Sequence, residues 1–316
     1  MKRICKIGLI MAVLMAVITI GAAAKGQGGG GAAQTTIGLL VKNRSDTFPR
    51  VISETIVAEA KTKGINVIVS DAEMDVNKQL QQAEDMITQK VSGIIMIAVD
   101  TDGSAPIVDK AIAAGIPIVE CNTTTNNVEK VVYVGSDDVD AAKIQADYIK
   151  SKLKPGIRVV QMLGAMGQSS QVDRSKGIDM YLKNDPSFKV EYLAEQTANW
   201  KTDVAMALAE NWLASYNNNI DVIICQNDEM AIGASQAVVA KGLKDKVMVL
   251  GIDAIPGALQ LVQKGELDAT VFQDAVGQGK GGLEAILDLI SKGRQENGRR
   301  MIPFKLVTRE NVADFL

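Results

Sequence analysis

Short apolar, β-branched runs alternate with segments of helical period from residue 37 to residue 307. Residues 37–41, 66–70, 93–99, 116–121 and 131–135 read as strands, being too brief for helices. Between them 50–63, 76–90 and 105–114 place apolar residues on one helical face. The pattern resumes with strands at 158–163, 189–195, 221–225, 247–252, 267–272 and 304–307. Helices are predicted there over about 138–153, 171–184 and 201–215, from Glu229, over 256–264 and about 276–292, with a brief one at the end. Strands alternating with helices of this length make βαβ units, so the fold is α/β with parallel sheets. At 316 residues, two sheets of about five or six strands are expected rather than one large sheet. No unit of 20–50 residues repeats, which excludes a solenoid.

The strand runs end in polar residues: Lys42, Asp71, Asp100, Asn122, Asp137, Gln196, Asn227, Asp253 and Gln273. In open α/β sheets, ligands bind outside the carboxyl ends of the strands. Amides and carboxylates both accept from hydroxyls, and amides also donate to them, which suits a sugar or polyol. Aromatic residues are scarce, yet Phe48 and Trp200 fall just past two strand ends, where a flat face packs against the C–H face of a sugar ring. Helix capping accounts for part of this pattern, with Asp71 and Asp137 its leading candidates. For Asn227 and Asp228, capping and ligand contact both remain open.

The chain has no histidine, which removes His-based acid–base chemistry, catalytic triads and most zinc sites. No calcium-loop spacing is present, so neither a metal nor a cofactor is expected. The glycine-rich stretch 164–170 follows a strand and precedes a helix. It lacks the Lys-Ser/Thr ending of a phosphate loop and the spacing of a dinucleotide fingerprint, so phosphate binding is not expected.

The first residues read as an export signal. Lys2, Arg3 and Lys6 precede an apolar stretch over 7–20, and Ala22, Ala23 and Ala24 form a small-residue cleavage site. The stretch is short for a span of about 20 residues, so cleavage is expected over anchoring. No cysteine sits at the cleavage site, and Cys5 lies upstream of the apolar core. A Gly-rich linker covers 25–35. Without residues 1–24 the chain has 31 basic against 37 acidic residues, which is no footprint for nucleic acid. Cys121 and Cys225 lie within apolar runs and read as small buried hydrophobes in different domains.

Three motifs carry a resemblance. Gln226-Asn-Asp-Glu-Met-Ala-Ile-Gly-Ala234, Val249-Leu-Gly-Ile-Asp-Ala-Ile-Pro256 and Gly265-Glu-Leu-Asp-Ala-Thr-Val-Phe-Gln273 resemble the periplasmic ribose-type sugar-binding proteins of ABC importers, in the family's order and spacing. The resemblance runs from about residue 36 to the end. It extends to the ligand domain of LacI-type repressors, although here an export signal stands where a helix-turn-helix would be expected. It implies the type I periplasmic binding fold: two Rossmann-like lobes, a three-strand hinge with crossovers near Ser136, Gln273 and Phe304, and a ligand in the cleft between them. The lobes would be 36–136 with 274–303, and 137–273 with 304–316.

Position by position, the resemblance puts Phe48 and Trp200 as opposed stacking aromatics and Asp46 as a polar contact. Asn227, Asp253 and Gln273 become contacts to ring hydroxyls. Asn122 and Thr123 stand where ribose-binding members carry Asp-Arg, Val172 stands where they carry a further Arg, and Pro49 replaces a second aromatic. Gln171 and Arg174 lie close enough to substitute for the missing Arg, and Lys42 faces the cleft. Asp100, which closes the third strand, completes the candidate set. The Glu195–Trp200 run and the turn at Asp253–Pro256 lean towards inositol-type members, hence a cyclic polyol or hexose rather than ribose.

The expected function is capture of a monosaccharide or cyclic polyol for an ABC importer permease by a monomer, without catalysis. Delivery of occupancy to a chemoreceptor or sensor kinase, or binding of an autoinducer-2-like furanose in quorum sensing, is the alternative. An enzyme would need a nucleophile–base pair that the sequence lacks.

Overall fold

The computed structural model describes residues 35–316. The export signal and all but the last residue of the linker lie outside the described residues.

The first sheet holds β1 (Thr36–Val41), β2 (Asn66–Asp71), β3 (Gly93–Met96), β4 (Ile118–Cys121), β5 (Val132–Gly135) and β11 (Gly298–Met301), in the order β11-β5-β4-β3-β1-β2. The second holds β6 (Ile157–Leu163), β7 (Val190–Thr197), β8 (Val222–Cys225), β9 (Met248–Leu250), β10 (Ala269–Phe272) and β12 (Lys305–Thr308), in the order β12-β10-β9-β8-β6-β7. Every pairing is parallel except that of β12 with β10. The central strands β3, β4, β5 and β8 are wholly buried, as parallel strands covered on both faces must be. The edge strands β2 and β7 are only half-buried.

Helices α1 (Thr47–Thr62) and α9 (Ala275–Lys292) pack on one face of the first sheet, and α2 (Val76–Thr88) and α3 (Ala105–Ala113) on the other. The second sheet carries α4 (Asp138–Lys152) and α5 (Ser169–Ile178) on one face. Its other face carries α6 (Thr202–Ser215), α7 (Asp228–Ala240) and α8 (Pro256–Lys264). The chain passes between the sheets three times: from β5 to β6, from β10 through α9 to β11, and from β11 to β12.

Several elements differ from the sequence expectation. β3 stops at Met96, because the Val99 N–H leaves the ladder for Gln79 Oε1 of α2 at 3.1 Å. α1 starts at Thr47, with Pro49 in its first turn, where a missing N–H costs nothing. α5 ends at Ile178 and continues as a π-turn over Asp179–Lys183 instead of one helix to 184. β11 is an additional strand. Its Gly-Arg-Arg-Met sequence is mostly exposed at the sheet edge, so no apolar pattern marks it. Cys121 and Cys225 are free thiols, buried in separate sheets, and burial pushes the Cys121 thiol up to about 12.

Candidate functional site

In each sheet the chain direction of winding reverses beside the first strand. The reversal lies between β1 and β3 in one sheet and between β6 and β8 in the other. Loops leaving neighbouring strands diverge at such a point and leave a crevice. The two crevices face each other across a tight, partly open cavity. Lys42, Asp46, Phe48, Pro49 and Asn122 line it from the first lobe. Ser170, Arg174, Trp200, Asn227, Glu229, Asp253 and Gln273 line it from the second.

Arg174 organises the second-lobe wall. Its Nε donates to Asp138 Oδ1 at 2.8 Å, Nη1 donates to the Gln226 carbonyl, and Nη2 donates to Gln273 Oε1 at 3.3 Å. Asp253 Oδ1 lies 4.0 Å from Nη2. With its oxygen held by Arg174, Gln273 leaves its Nε2 buried and without a partner. A buried amide N–H₂ without an acceptor is costly, and in a cavity wall it is a donor waiting for one.

Trp200 lies flat against Gly164, where a Cβ would overlap the indole ring. Its Nε1 donates to Gln168 Oε1 at 3.1 Å. Lys42 Nζ and the Arg174 guanidinium each lie 5.9 Å from the ring centroid. Phe48 is in the first turn of α1 and joins the core of the first lobe.

Three lining residues hold left-handed backbone: Asn122 at φ 65°, Trp200 at φ 65° and Asp253 at φ 123°. Asparagine visits that region readily, whereas a tryptophan there is a genuine outlier. Such strain persists only where the surroundings over-determine it, and it concentrates at ligand clamps.

The cavity is charged but poorly solvated. Burial pulls Lys42 down to about 8, Arg174 adds to that, and Asp46 opposes it. Burial raises Asp46, with Lys42 opposing, and raises Glu229. Burial also holds Asp253 well above the carboxylate range despite Arg174. Arg174 stays protonated: burial works against its charge, and Asp138 and Asp253 more than offset it.

All the sequence-predicted site residues except Asp100 and Gln171 line this cavity. Asp100 is a correction. Its Oδ1 accepts from the backbone N–H of Asp102 at 2.9 Å and of Gly103 at 2.7 Å, which fixes the turn into α3. It borders a separate, more open groove with Asn43, Met74 and Met166. Gln171 is the second correction. Because α5 starts at Ser169, Gln171 runs along the helix and donates to Ser175 Oγ at 3.1 Å.

Among the other strand-end residues, Asp137 caps α4 and Asp71 binds the turn N–H of Glu73 at 2.9 Å. Gln196 is exposed within β7. Asn227 does two things. Its Oδ1 caps α7 through Met230 N at 3.0 Å, while its Nδ2 donates to Glu229 Oε2 at 2.8 Å at the cavity wall. Asp228 is turned inward to the Thr270 hydroxyl and the Ile255 N–H, and so is structural. Pro49, Ser170 and Glu229 were not predicted. Glu229 follows the polar strand end directly and carried the signal, but it was read as the first helical residue.

The family of the periplasmic binding protein domain matches residues 37–295. A putative rhizopine-binding protein of Rhizobium meliloti is 39% identical, over 89% of this chain and 92% of that protein. An ABC transporter solute binding protein from Bacillus halodurans, solved with bound myo-inositol, is 34% identical. It superposes with a TM-score of 0.84 over 90% of this chain and 98% of its own. The Caulobacter myo-inositol binding protein, also solved with myo-inositol, is 30% identical with a TM-score of 0.83, covering 90% of this chain and 96% of that one.

Proposed function

We propose that this chain, which belongs to the periplasmic binding protein family, is an extracytoplasmic receptor that captures a cyclic polyol or monosaccharide and delivers it to an ABC importer. The observation that carries the reading is Gln273. Its Nε2 is buried and unpartnered, and the residue lines a cavity walled by carboxylates and amides and flanked by Trp200 and Phe48. A hydroxyl group accepts from Gln273 and donates to a carboxyl oxygen such as that of Asp253, while the ring's C–H face packs on an aromatic. The ligand contacts we assign are Lys42, Asp46, Phe48, Asn122, Arg174, Trp200, Asn227, Asp253 and Gln273, with Ser170 and Glu229 added. No catalysis is involved.

The lobes act as 36–136 with 274–303 and 137–273 with 304–316, hinged at the three passages between the sheets. The neighbours solved with myo-inositol favour a six-membered ring. No helix among the described residues is long and apolar enough to cross a membrane, and export rests on the basic and apolar N-terminal segment. An importer permease reads the closed pair of lobes. A chemoreceptor or sensor kinase would read the same surface, and no residue of the cavity favours that role over uptake.

Titration calorimetry with myo-inositol, D-allose, xylitol and D-ribose tests the reading. Saturable binding of one of them, lost in Gln273→Leu, is expected. Binding unaffected by that substitution would contradict the site, and the absence of any binding would contradict the ligand class.

A further inference from the structure

We infer that Gln168 is a positioning residue that fastens the two lobes across the shut cleft and sets the plane of Trp200. This rests on the receptor reading above.

Gln168 occupies the N-cap position of α5, yet its side chain does not cap the helix. Ser, Thr, Asp or Asn would serve a cap better. The side chain is instead buried and turned across to the first lobe. Its Oε1 accepts from Lys42 Nζ at 3.1 Å and from Trp200 Nε1 at 3.1 Å, so one amide oxygen with two lone pairs serves a donor from each lobe. Its Nε2 lies 3.5 Å from Met74 Sδ, also of the first lobe.

The residues on either side repeat the crossing through other groups. The Gly167 carbonyl accepts from Thr101 N at 3.0 Å, and Ser169 Oγ accepts from Thr124 N at 2.9 Å. Three consecutive residues of one second-lobe loop therefore bind the first lobe. Only the middle one also reaches a residue that lines the cavity from each side. Opening the cleft separates Lys42 from Gln168 and leaves the indole N–H tied to a side chain that has lost its own anchor. Occupancy of the cavity and orientation of Trp200 are thereby coupled through one amide.

The test uses the whole protein in three forms: Gln168→Glu, Gln168→Met, and Gln168→Glu combined with Lys42→Met. In ligand-free protein, a nitroxide on an exposed site of α2 reports the minor closed population through relaxation of second-lobe resonances. A carboxylate at 168 turns the Lys42 contact into a full ion pair in a buried site, which is stronger than the charge–amide bond it replaces. Gln168→Glu is therefore expected to raise the closed population about fivefold, and adding Lys42→Met is expected to lower it to the wild-type level or below. A closed population unchanged by Gln168→Glu, or a rise that persists without Lys42, would overturn the inference.

The second arm uses myo-inositol as the probe, followed by stopped-flow tryptophan fluorescence. Gln168→Met is expected to speed dissociation about tenfold with association within about twofold, because the fastening exists only after closure. Unchanged dissociation, or equal loss in both rates, would overturn the inference while leaving the receptor reading intact. Failure of myo-inositol to bind the wild type would count against the ligand assignment alone, and the ligand-free arm still decides the role of Gln168.

Discussion

Arg174 and Gln273 show how one side chain prepares another for a ligand. The guanidinium is buried among Asp138, Asp253 and the Gln226 carbonyl, and it holds the Gln273 oxygen while the amide nitrogen is left without a partner. Removing one partner of a buried ion pair leaves the other uncompensated, at a cost of about 3–5 kcal/mol. Arg174→Met should therefore lower unfolding stability by that order in urea titrations and abolish ligand binding. Gln273→Leu should behave differently. Its nitrogen has no protein partner to lose, but its oxygen accepts from Arg174, so stability should fall by about 1–3 kcal/mol, less than in Arg174→Met, while affinity falls at least tenfold in calorimetry.

A third residue carries a pH-dependent contribution to stability. Glu120 is wholly buried on β4 and accepts from the Thr125 N–H at 3.1 Å and the Thr125 hydroxyl at 2.5 Å. Burial raises its pKa from 4.5 to about 7, with the Thr125 bonds opposing. A carboxyl raised on folding holds more protons in the native than in the unfolded state between those values. Its contribution is complete below about 4.5 and is lost as pH rises through about 7. The stability of the wild type relative to Glu120→Gln should thus fall by up to about 3 kcal/mol between pH 5 and pH 8 in paired urea titrations. A constant difference across that range would rule out a protonated Glu120 in the fold.

At the scale of elements, two glycines fix how close neighbours approach. Gly233 of α7 meets α6 so tightly that a Cβ would strike the Thr202 carbonyl and lie 2.9 Å from Met206 N. Gly233→Ala should cost about 1–3 kcal/mol through backbone displacement, read as a lower thermal midpoint, with ligand affinity preserved once the protein is folded. Gly164→Ala strikes Trp200 instead. It should shift tryptophan emission and weaken binding with a smaller loss of stability.

The elements themselves were largely legible, because buried parallel strands write themselves as uninterrupted apolar runs: β8 and β10 appear in the sequence almost as they stand. β11 was not, since an exposed edge strand of Gly and Arg bears no such mark. Asn122 and Asp253 were legible as polar strand ends, and both line the cavity. Asp100 binds the turn into α3 and lies outside the cavity, and a turn carboxylate and a ligand carboxylate look the same in sequence. Gln171 lies outside the cavity because helix α5 starts two residues earlier than its apolar spacing indicates. Gln168 lay hidden inside a glycine-rich loop, where nothing local distinguishes a solvated amide from one that bridges lobes.

At the scale of the whole molecule, the lobes meet directly on more than one side of the cavity. Besides the Gln168 loop, the Thr47 N–H at the start of α1 donates to Glu229 Oε1 of α7 at 3.1 Å. A carboxylate at a helix N-terminus also gains from the helix dipole. The structure is therefore that of the shut form, and a ligand that prefers this form shifts the molecule towards it by its difference in affinity for the two states.

The most direct measurement is a tryptophan fluorescence titration of the purified protein with myo-inositol, alongside D-allose, xylitol and D-ribose, in the wild type and in Gln273→Leu. Trp200 faces the cavity and reports occupancy, while Trp212 lies in the apolar core of the second lobe and gives a constant background. The account predicts a saturable change with a cyclic polyol or hexose at micromolar concentration or below, abolished by Gln273→Leu. A flat response to every compound, with no heat in calorimetry, would contradict it.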